Sequence, residues 1–109
     1  MIYASPSYAD WTFMGENSGA IGYLDSDRIR KHDGYTHFWT LIDFANGGGS
    51  VKTYIQLDCG KFRYKYLSVH NFKMQMGKGT SNEIKRDFQW KYPLPDSGFE
   101  ETLENICNQ

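Results

Sequence analysis

The sequence has no long apolar run, since no stretch of its 109 residues approaches the roughly 20 apolar residues of a membrane-spanning helix. It therefore predicts no transmembrane segment. The first nine residues, MIYASPSYA, also lack the basic and apolar regions of an intact signal peptide. We expect residues 1–10 to be a flexible N-terminal segment, as at the start of a processed chain, and residues 11–109 to form a single domain.

The chain also lacks an excess of charge of one sign. It contains 12 Lys and Arg against 13 Asp and Glu, which gives a formal net charge of −1. A dedicated nucleic-acid binder usually has a strong basic excess. This balance therefore argues against a specific nucleic-acid partner.

The residue constellations that catalysis and metal binding require are missing as well. The three histidines, His32, His37 and His70, have no metal-ligand spacing, and neither cysteine lies in a CxxC pair. We interpret the histidines as surface or half-buried side chains. The glycines of Met76-Gly77-Lys78-Gly79 fit a tight turn or bulge, because the full phosphate-loop pattern is absent. No catalytic residue, metal site or cofactor is predicted.

Aromatic residues are abundant, with 7 Phe, 8 Tyr and 3 Trp, whereas disordered chains are poor in them. Several segments alternate with period two, which predicts half-buried strands, and Asp33-Gly34 is a strong hairpin signal. We therefore predict a folded, mainly β chain. The predicted strand segments are Thr12–Gly15, Ala20–Tyr23, Arg28–Arg30, His37–Phe44, Val51–Asp58, Phe62–Val69, Lys73–Met76 and Phe88–Tyr92.

The C-terminal tail has a different pattern. Ser97 and Glu100 have the S-x-x-E spacing of a capping box, which predicts a helix from about Ser97 to Asn105. A single apolar stripe follows on this helix, formed by Phe99, Leu103, Ile106 and Cys107. A helix of about ten residues is too short to be stable alone in water, so we expect it to dock through Phe99, Leu103 and Ile106.

The only cysteines are Cys59 and Cys107. An even pair in a small domain suits a disulfide in an oxidising compartment, and two buried free thiols in a reducing one are the alternative. Because Cys107 lies on the apolar stripe of the tail, the pattern suggests that it tethers the helix to Cys59 at the end of a strand.

Positive charge is concentrated between Lys61 and Lys91, a segment that contains eight Lys and Arg but only two acidic residues. Lys61, Arg63 and Lys65 alternate there with aromatic residues, so in a strand the three cations share one face. This face is either an ordinary solvated surface or a docking face for acidic partners.

From Trp11 to Cys107 the chain resembles the surface-adhesin protein E family of Gram-negative bacteria. The family more often has glycine at the position of Asp96. The residues that carry the resemblance are Trp11, Trp39–Phe44, Asp58-Cys59, Arg63, Met76-Gly77-Lys78-Gly79, Trp90, Pro95-Asp96-Ser97, Leu103 and Cys107.

The resemblance implies a mainly β (α+β) fold, a strongly twisted antiparallel sheet of about six strands with one C-terminal helix. It also implies that a Cys59–Cys107 disulfide tethers this helix. A periplasmic, cell-surface or secreted location follows from the same resemblance. Host matrix or plasma proteins, such as laminin and vitronectin, are the implied partners, and a homodimer is an implied assembly.

Two functions follow as hypotheses. The first is an exported, non-enzymatic, adhesin-like binding module that acts on extracellular or host proteins through a sheet face or edge. The alternative is a periplasmic inhibitor or envelope accessory protein, a role that small disulfide-bonded β domains also perform.

Overall fold

Seven antiparallel strands in one sheet form most of the computed structural model, which describes residues 11–109. The predicted flexible segment at residues 1–10 lies outside the described residues. The prediction of a mainly antiparallel sheet is confirmed, with seven strands instead of about six. The strands are β1 (Trp11–Asn17), β2 (Ala20–Asp25), β3 (Arg30–His32), β4 (Tyr35–Phe44), β5 (Ser50–Asp58), β6 (Arg63–Phe72) and β7 (Ser81–Ile84).

The sheet order is β1-β2-β4-β5-β6-β7, and β3 pairs with the first residues of β4. Two-residue turns close the hairpins β1–β2 and β3–β4. Both residues of each turn, Ser18-Gly19 and Asp33-Gly34, have positive φ, as in a type I′ turn. The Asp33-Gly34 prediction is therefore confirmed by the hairpin that this turn closes. The twist of a type I′ turn matches that of the flanking strands.

The C-terminal helix α1 spans Gly98–Cys107, and Ser97 is its N-cap. The Ser97 hydroxyl accepts a hydrogen bond from the Glu100 backbone N–H at 3.0 Å. The Glu100 carboxylate reaches back and accepts from the Asp96 backbone N–H, also at 3.0 Å. The helix thus begins where the capping pattern predicts. No helix within residues 11–109 combines the length and apolar character needed to cross a membrane.

The hydrophobic core lies between α1 and one face of the sheet. Leu103 and Ile106 are fully buried and join a cluster from β2, β4 and β5, and Phe99 packs against this cluster. On β6, Tyr64 and Tyr66 pack against this core from the helix side of the sheet. The Tyr64 ring meets the Phe99 ring edge-on, with 5.0 Å between the ring centroids. The remaining members of the buried cluster are Leu24, Phe38, Ile55 and Leu57.

A disulfide joins the two cysteines, with 5.7 Å between their Cα atoms. Cys59 follows the last residue of β5, and Cys107 is the last residue of α1. The predicted tether between helix and strand end is confirmed.

The predicted strand at Lys73–Met76 is wrong. Gln75–Gly77 form a 3₁₀ turn in which Met76 has a φ of 57°. An extended strand cannot contain this conformation. The turn confirms instead the interpretation of the Met76–Gly79 glycines as a tight turn, and the chain re-enters the sheet only at Ser81.

The predicted strand at Phe88–Tyr92 is also wrong, since only one bridge forms there, between Lys91 and Tyr64. The short strand β7 already occupies the edge of β6 from Val69 to Phe72. The segment near Lys91 therefore has only the start of β6 available as a partner.

Candidate functional site: the outer face of the sheet

The sheet face opposite α1, here called the outer face, carries the side chains that the strand pleat turns away from the core. Phe38 points into the helix-side core, so its neighbours His37 and Trp39 point outward. The register of β4 with β5 places Tyr54 opposite Trp39 and Gln56 opposite His37. Residues distant in sequence therefore meet on this face.

Ring side chains form a strip along the outer face. The Trp39 and Tyr54 ring centroids are 4.8 Å apart, and Tyr54 stacks on His37 at 5.8 Å. The strip extends from Trp39 to His70 at 6.2 Å. We define the outer strip as the six residues Tyr35, His37, Trp39, Tyr54, His70 and Trp90.

Trp90 forms one end of the strip, beside the first residues of β4 and β6. Its indole lies 5.6 Å from the Tyr35 ring and covers the Arg63 guanidinium at 4.3 Å. The Lys65 ammonium lies 5.8 Å from the same indole. Two cations thus flank the aromatic surface in cation–π geometry, which suits contact with an acidic partner.

The loop after β6 covers the other end of the outer face. The Met76 backbone N–H donates to the Asp43 carboxylate at 2.9 Å, and the Gly77 N–H donates to the Ser50 hydroxyl at 2.8 Å. The Ser50 hydroxyl in turn donates to the Met74 carbonyl at 2.7 Å. These bonds fix the glycine-containing turn on the sheet, so it bounds the strip.

His37 is the most buried member of the strip, with 7% exposure. The Gln56 amide nitrogen lies 3.3 Å from His37 Nε2, and because this nitrogen can only donate, Nε2 must accept. Burial lowers the pKa of His37, the nearby His32 lowers it further, and Asp33 acts in the opposite direction. Both the Gln56 contact and the lowered pKa favour the neutral imidazole, and in the neutral form this contact places the ring proton on Nδ1.

The three predicted cations do not project from a single strand. Lys61 lies in the turn before β6 and is exposed, so the prediction that all three share one strand face is wrong for Lys61. The cause is Phe62, whose φ of 51° interrupts the alternation. Arg63 and Lys65 are on β6, opposite Asp58 and Gln56, and both reach Trp90.

Arg63 is engaged within the molecule. Its Nε donates to the Asp58 carboxylate at 3.1 Å, and the Lys61 backbone N–H donates to the same group at 3.2 Å. Burial would raise the pKa of Asp58, but these hydrogen bonds and the Arg63 charge outweigh it and lower the pKa below 3.8. Arg63 therefore acts as a fixed cation on the strip, whereas Lys61 and Lys65 have no such ion pair among the described residues.

The three histidines lie on the outer face, and the exposed His32 Nε2 lies 3.0 Å from the Asp33 carboxylate. Among the described residues, no group of three or more His, Cys, Asp or Glu side chains is arranged to hold a metal ion. The rings contact aromatic neighbours instead, as between His37 and Tyr54.

The outer strip was not identified from the sequence. The spacing of Tyr35, His37 and Trp39 at i, i+2 and i+4 is the signal that could have indicated it, because such residues share one strand face. The sequence does not give the register that adds Tyr54, His70 and Trp90.

A family model described as surface-adhesin protein E matches residues 11–108, nearly the whole chain. The chain belongs to the surface-adhesin protein E family. The match begins where β1 begins and reaches past Cys107, so it includes both the sheet and the tethered helix.

Solved structures of protein E from Haemophilus influenzae have the same fold. Crystal form II is 18% identical, with a TM-score of 0.69 over 99% of this chain and 97% of that chain. Protein E from non-typeable H. influenzae is 15% identical, with a TM-score of 0.69 over 99% of this chain and 82% of that chain. The selenomethionine form gives 0.67 at 18% identity, over 87% and 90%. No curated protein sequence matches the chain.

Proposed function

We propose that this protein is an exported, non-enzymatic, adhesin-like binding module, and that it contacts extracellular or host proteins through the outer strip. The observation that carries the proposal is the row of ring side chains on the sheet face opposite α1. Membership of a surface-adhesin family supports the general role, and the residue types of the strip support this face as the contact surface.

The chemistry of the strip fits a protein partner. Tyr, Trp and Arg are the residue types enriched at the energetic centres of protein interfaces. Trp39 and Tyr54 are half-buried against each other, and Trp90 is half-buried against Tyr35, so these rings are ordered before a partner binds. Preformed rings reduce the conformational entropy lost on association.

Charge favours an acidic patch on the partner. The segment from Lys61 to Lys91 contains eight Lys and Arg against two acids, and Arg63 and Lys65 border the strip. Such charges mainly raise the association rate. Host matrix or plasma proteins with exposed acidic surfaces are the proposed partners, and a second copy of the chain is the proposed homodimeric alternative.

The disulfide supports a periplasmic, cell-surface or secreted location. Structural disulfides persist in oxidising compartments and are rare where glutathione keeps thiols reduced. The bridge between Cys59 and Cys107 holds the only α-helix of residues 11–109 against the sheet. Export through an oxidising compartment is therefore part of the proposed function.

The test is a double replacement, Trp39→Ser with Tyr54→Ser, measured against immobilised laminin, vitronectin and other matrix or plasma proteins. We expect affinity to fall about tenfold or more, because truncation of two central aromatic residues typically exceeds 1.4 kcal/mol. Leu94→Ser is the matched control, since this apolar side chain is 74% exposed and precedes α1.

Lys65→Gln tests the electrostatic part separately, because it removes a charge without breaking the Asp58–Arg63 pair. We expect slower association at low salt and little difference at high salt. Unchanged affinity of the folded double variant would overturn the proposed surface. Inhibition of an envelope hydrolase, together with no binding to the matrix panel, would favour the periplasmic inhibitor instead.

A further inference from the structure

A groove of about 590 Å³ opens on the helix side of the sheet, away from the outer strip. It lies between the N-terminal end of α1 and the strands β1, β2, β4, β5 and β6. Its walls are mainly apolar and come from Met14, Ile42, Ile55, Tyr66 and Phe99. Small-molecule sites in proteins are typically clefts of about 300–1,000 Å³ with mainly apolar walls, so this groove has suitable dimensions.

Two threonine hydroxyls lie at the floor of the groove. Thr40 and Thr53 are cross-strand partners, and they are only 5% and 6% exposed. Within residues 11–109, neither hydroxyl has a hydrogen-bond partner. In these residues, Asp25 Oδ1 is the one side-chain oxygen that has no hydrogen-bond partner and is also fully shielded from solvent. The two threonine hydroxyls lack a partner but are not fully shielded, so they are accessible from the groove. Unpartnered hydroxyls beside apolar walls are a place for a ligand oxygen.

Glycines keep the groove open. A Cβ atom at Gly15 or Gly98 would meet no other atom within 4 Å, and neither glycine has the positive φ that would demand glycine. The backbone at these two positions can therefore accept a residue with a side chain. Both glycines line the groove, so a large side chain at either position is a way to obstruct it.

The lining carries little charge. Glu16 is the one carboxylate in it, and no Lys, Arg or His of the described residues contributes to it. A ligand carboxylate or phosphate would find no cation to offset its loss of water. The groove therefore disfavours anions.

We propose that this groove binds an uncharged, predominantly apolar small molecule with a hydroxyl or carbonyl oxygen. The apolar body packs against Met14, Ile42 and Phe99, and the oxygen hydrogen-bonds to Thr40 and Thr53. A threonine hydroxyl both donates and accepts, so either oxygen type is satisfied. The site is on the face opposite the outer strip, so it stands independently of the proposed function.

The experiment uses the neutral fluorescent probe N-phenyl-1-naphthylamine with the intact oxidised protein. The probe is displaced by decan-1-ol or by decanoate, two ligands that differ only in the head group. We expect saturable binding of the probe and at least about tenfold stronger competition by the alcohol, because the anion must be desolvated without a partner. Equal competition by decanoate would overturn the assignment to uncharged ligands.

Variants locate the site. Gly15→Leu should abolish binding of probe and alcohol, and Gly98→Leu closes the groove from the helix if the first variant does not fold. Full binding by either folded variant would overturn the assignment to this groove.

Thr53→Val keeps the side-chain shape and removes the hydroxyl. This variant should bind decan-1-ol about fivefold more weakly, as expected for one lost hydrogen bond, and its affinity for the probe should not change. Thr36→Val is the matched control, because Thr36 is equally buried and lies outside the lining. Equal decan-1-ol affinities for the two variants would overturn the role of Thr53.

Discussion

At the scale of single residues, the charge state of His37 depends on its burial and on the charges beside it. Burial and the nearby His32 lower its pKa below 6.5 in the folded protein. The unfolded chain then binds a proton more readily than the folded one, so stability rises with pH. This contribution is fully present above pH 6.5 and is lost as the pH falls from there through the lower folded pKa.

We therefore expect His37→Gln to make the free energy of unfolding less dependent on pH between 7 and 5. Urea denaturation at several pH values measures this slope. His70→Gln, on the same face, is the control. A slope for His37→Gln equal to that of the wild-type protein would contradict the assignment.

Asp96 is a second residue with a local constraint. Its φ of 61° lies in the left-handed region that favours glycine, the residue that the family resemblance leads us to expect here. Its backbone N–H also holds the Glu100 carboxylate, and any residue but proline keeps this bond.

We expect Asp96→Gly to change the free energy of unfolding by less than about 1 kcal/mol, because two effects oppose each other. Glycine relieves the backbone strain of the folded state, but it also makes the unfolded chain more flexible. Asp96→Val should cost about 1–2 kcal/mol, since a β-branched residue strongly disfavours positive φ. Chemical denaturation of the three proteins measures both effects. Equal stability of the valine and glycine variants would exclude a conformational constraint at this position.

At the scale of elements, local patterns predicted the hairpins and the helix. The turn at Asp33-Gly34 and the cap at Ser97 each depend on residues close in sequence, so their signals are visible without the fold. Lys73–Met76 has an alternating pattern, but contacts to Asp43 and Ser50 hold that segment as a turn over the outer face. Those partners lie about 30 residues away, and no local pattern reports them.

The outer strip likewise depends on contacts between residues far apart in sequence. Trp39 contacts Tyr54 and His70 only because β4 pairs with β5 and β5 with β6 in one register. The sequence located the basic segment, but it did not indicate that Trp90 folds over Arg63. Contact between strands far apart in sequence is set by the whole sheet.

The docking of α1 is the main tertiary contact that the tail provides. Leu103 is fully buried in the core cluster, whereas its neighbour Glu104 is exposed. Leu103→Ala should cost about 2–5 kcal/mol, because it loses apolar burial and leaves a cavity. Urea denaturation of the oxidised protein measures the change, with Glu104→Ala as the control. Similar midpoints for the two variants would show that the stripe does not stabilise the fold.

At the scale of the whole molecule, the sheet separates two surfaces of different character. The outer face has aromatic rings bordered by Arg63 and Lys65, and the helix side has an apolar groove beside a small core. The helix covers only part of its face, and its stripe contributes two fully buried side chains to the core. A helix of ten residues is marginal by itself, so its position depends strongly on the covalent tether.

The disulfide is therefore expected to contribute a large share of the stability of the molecule. Cys59 and Cys107 are 48 residues apart, and closing such a loop lowers the entropy of the unfolded chain by an amount worth about 4 kcal/mol. Domains of this size are typically stable by about 5–15 kcal/mol, so reduction should lower the denaturation midpoint markedly. The double variant Cys59→Ser with Cys107→Ser should be equally destabilised and insensitive to reductant. Titration of the denatured, unreduced protein should detect almost no free thiol, and two reactive thiols per chain would contradict the bridge.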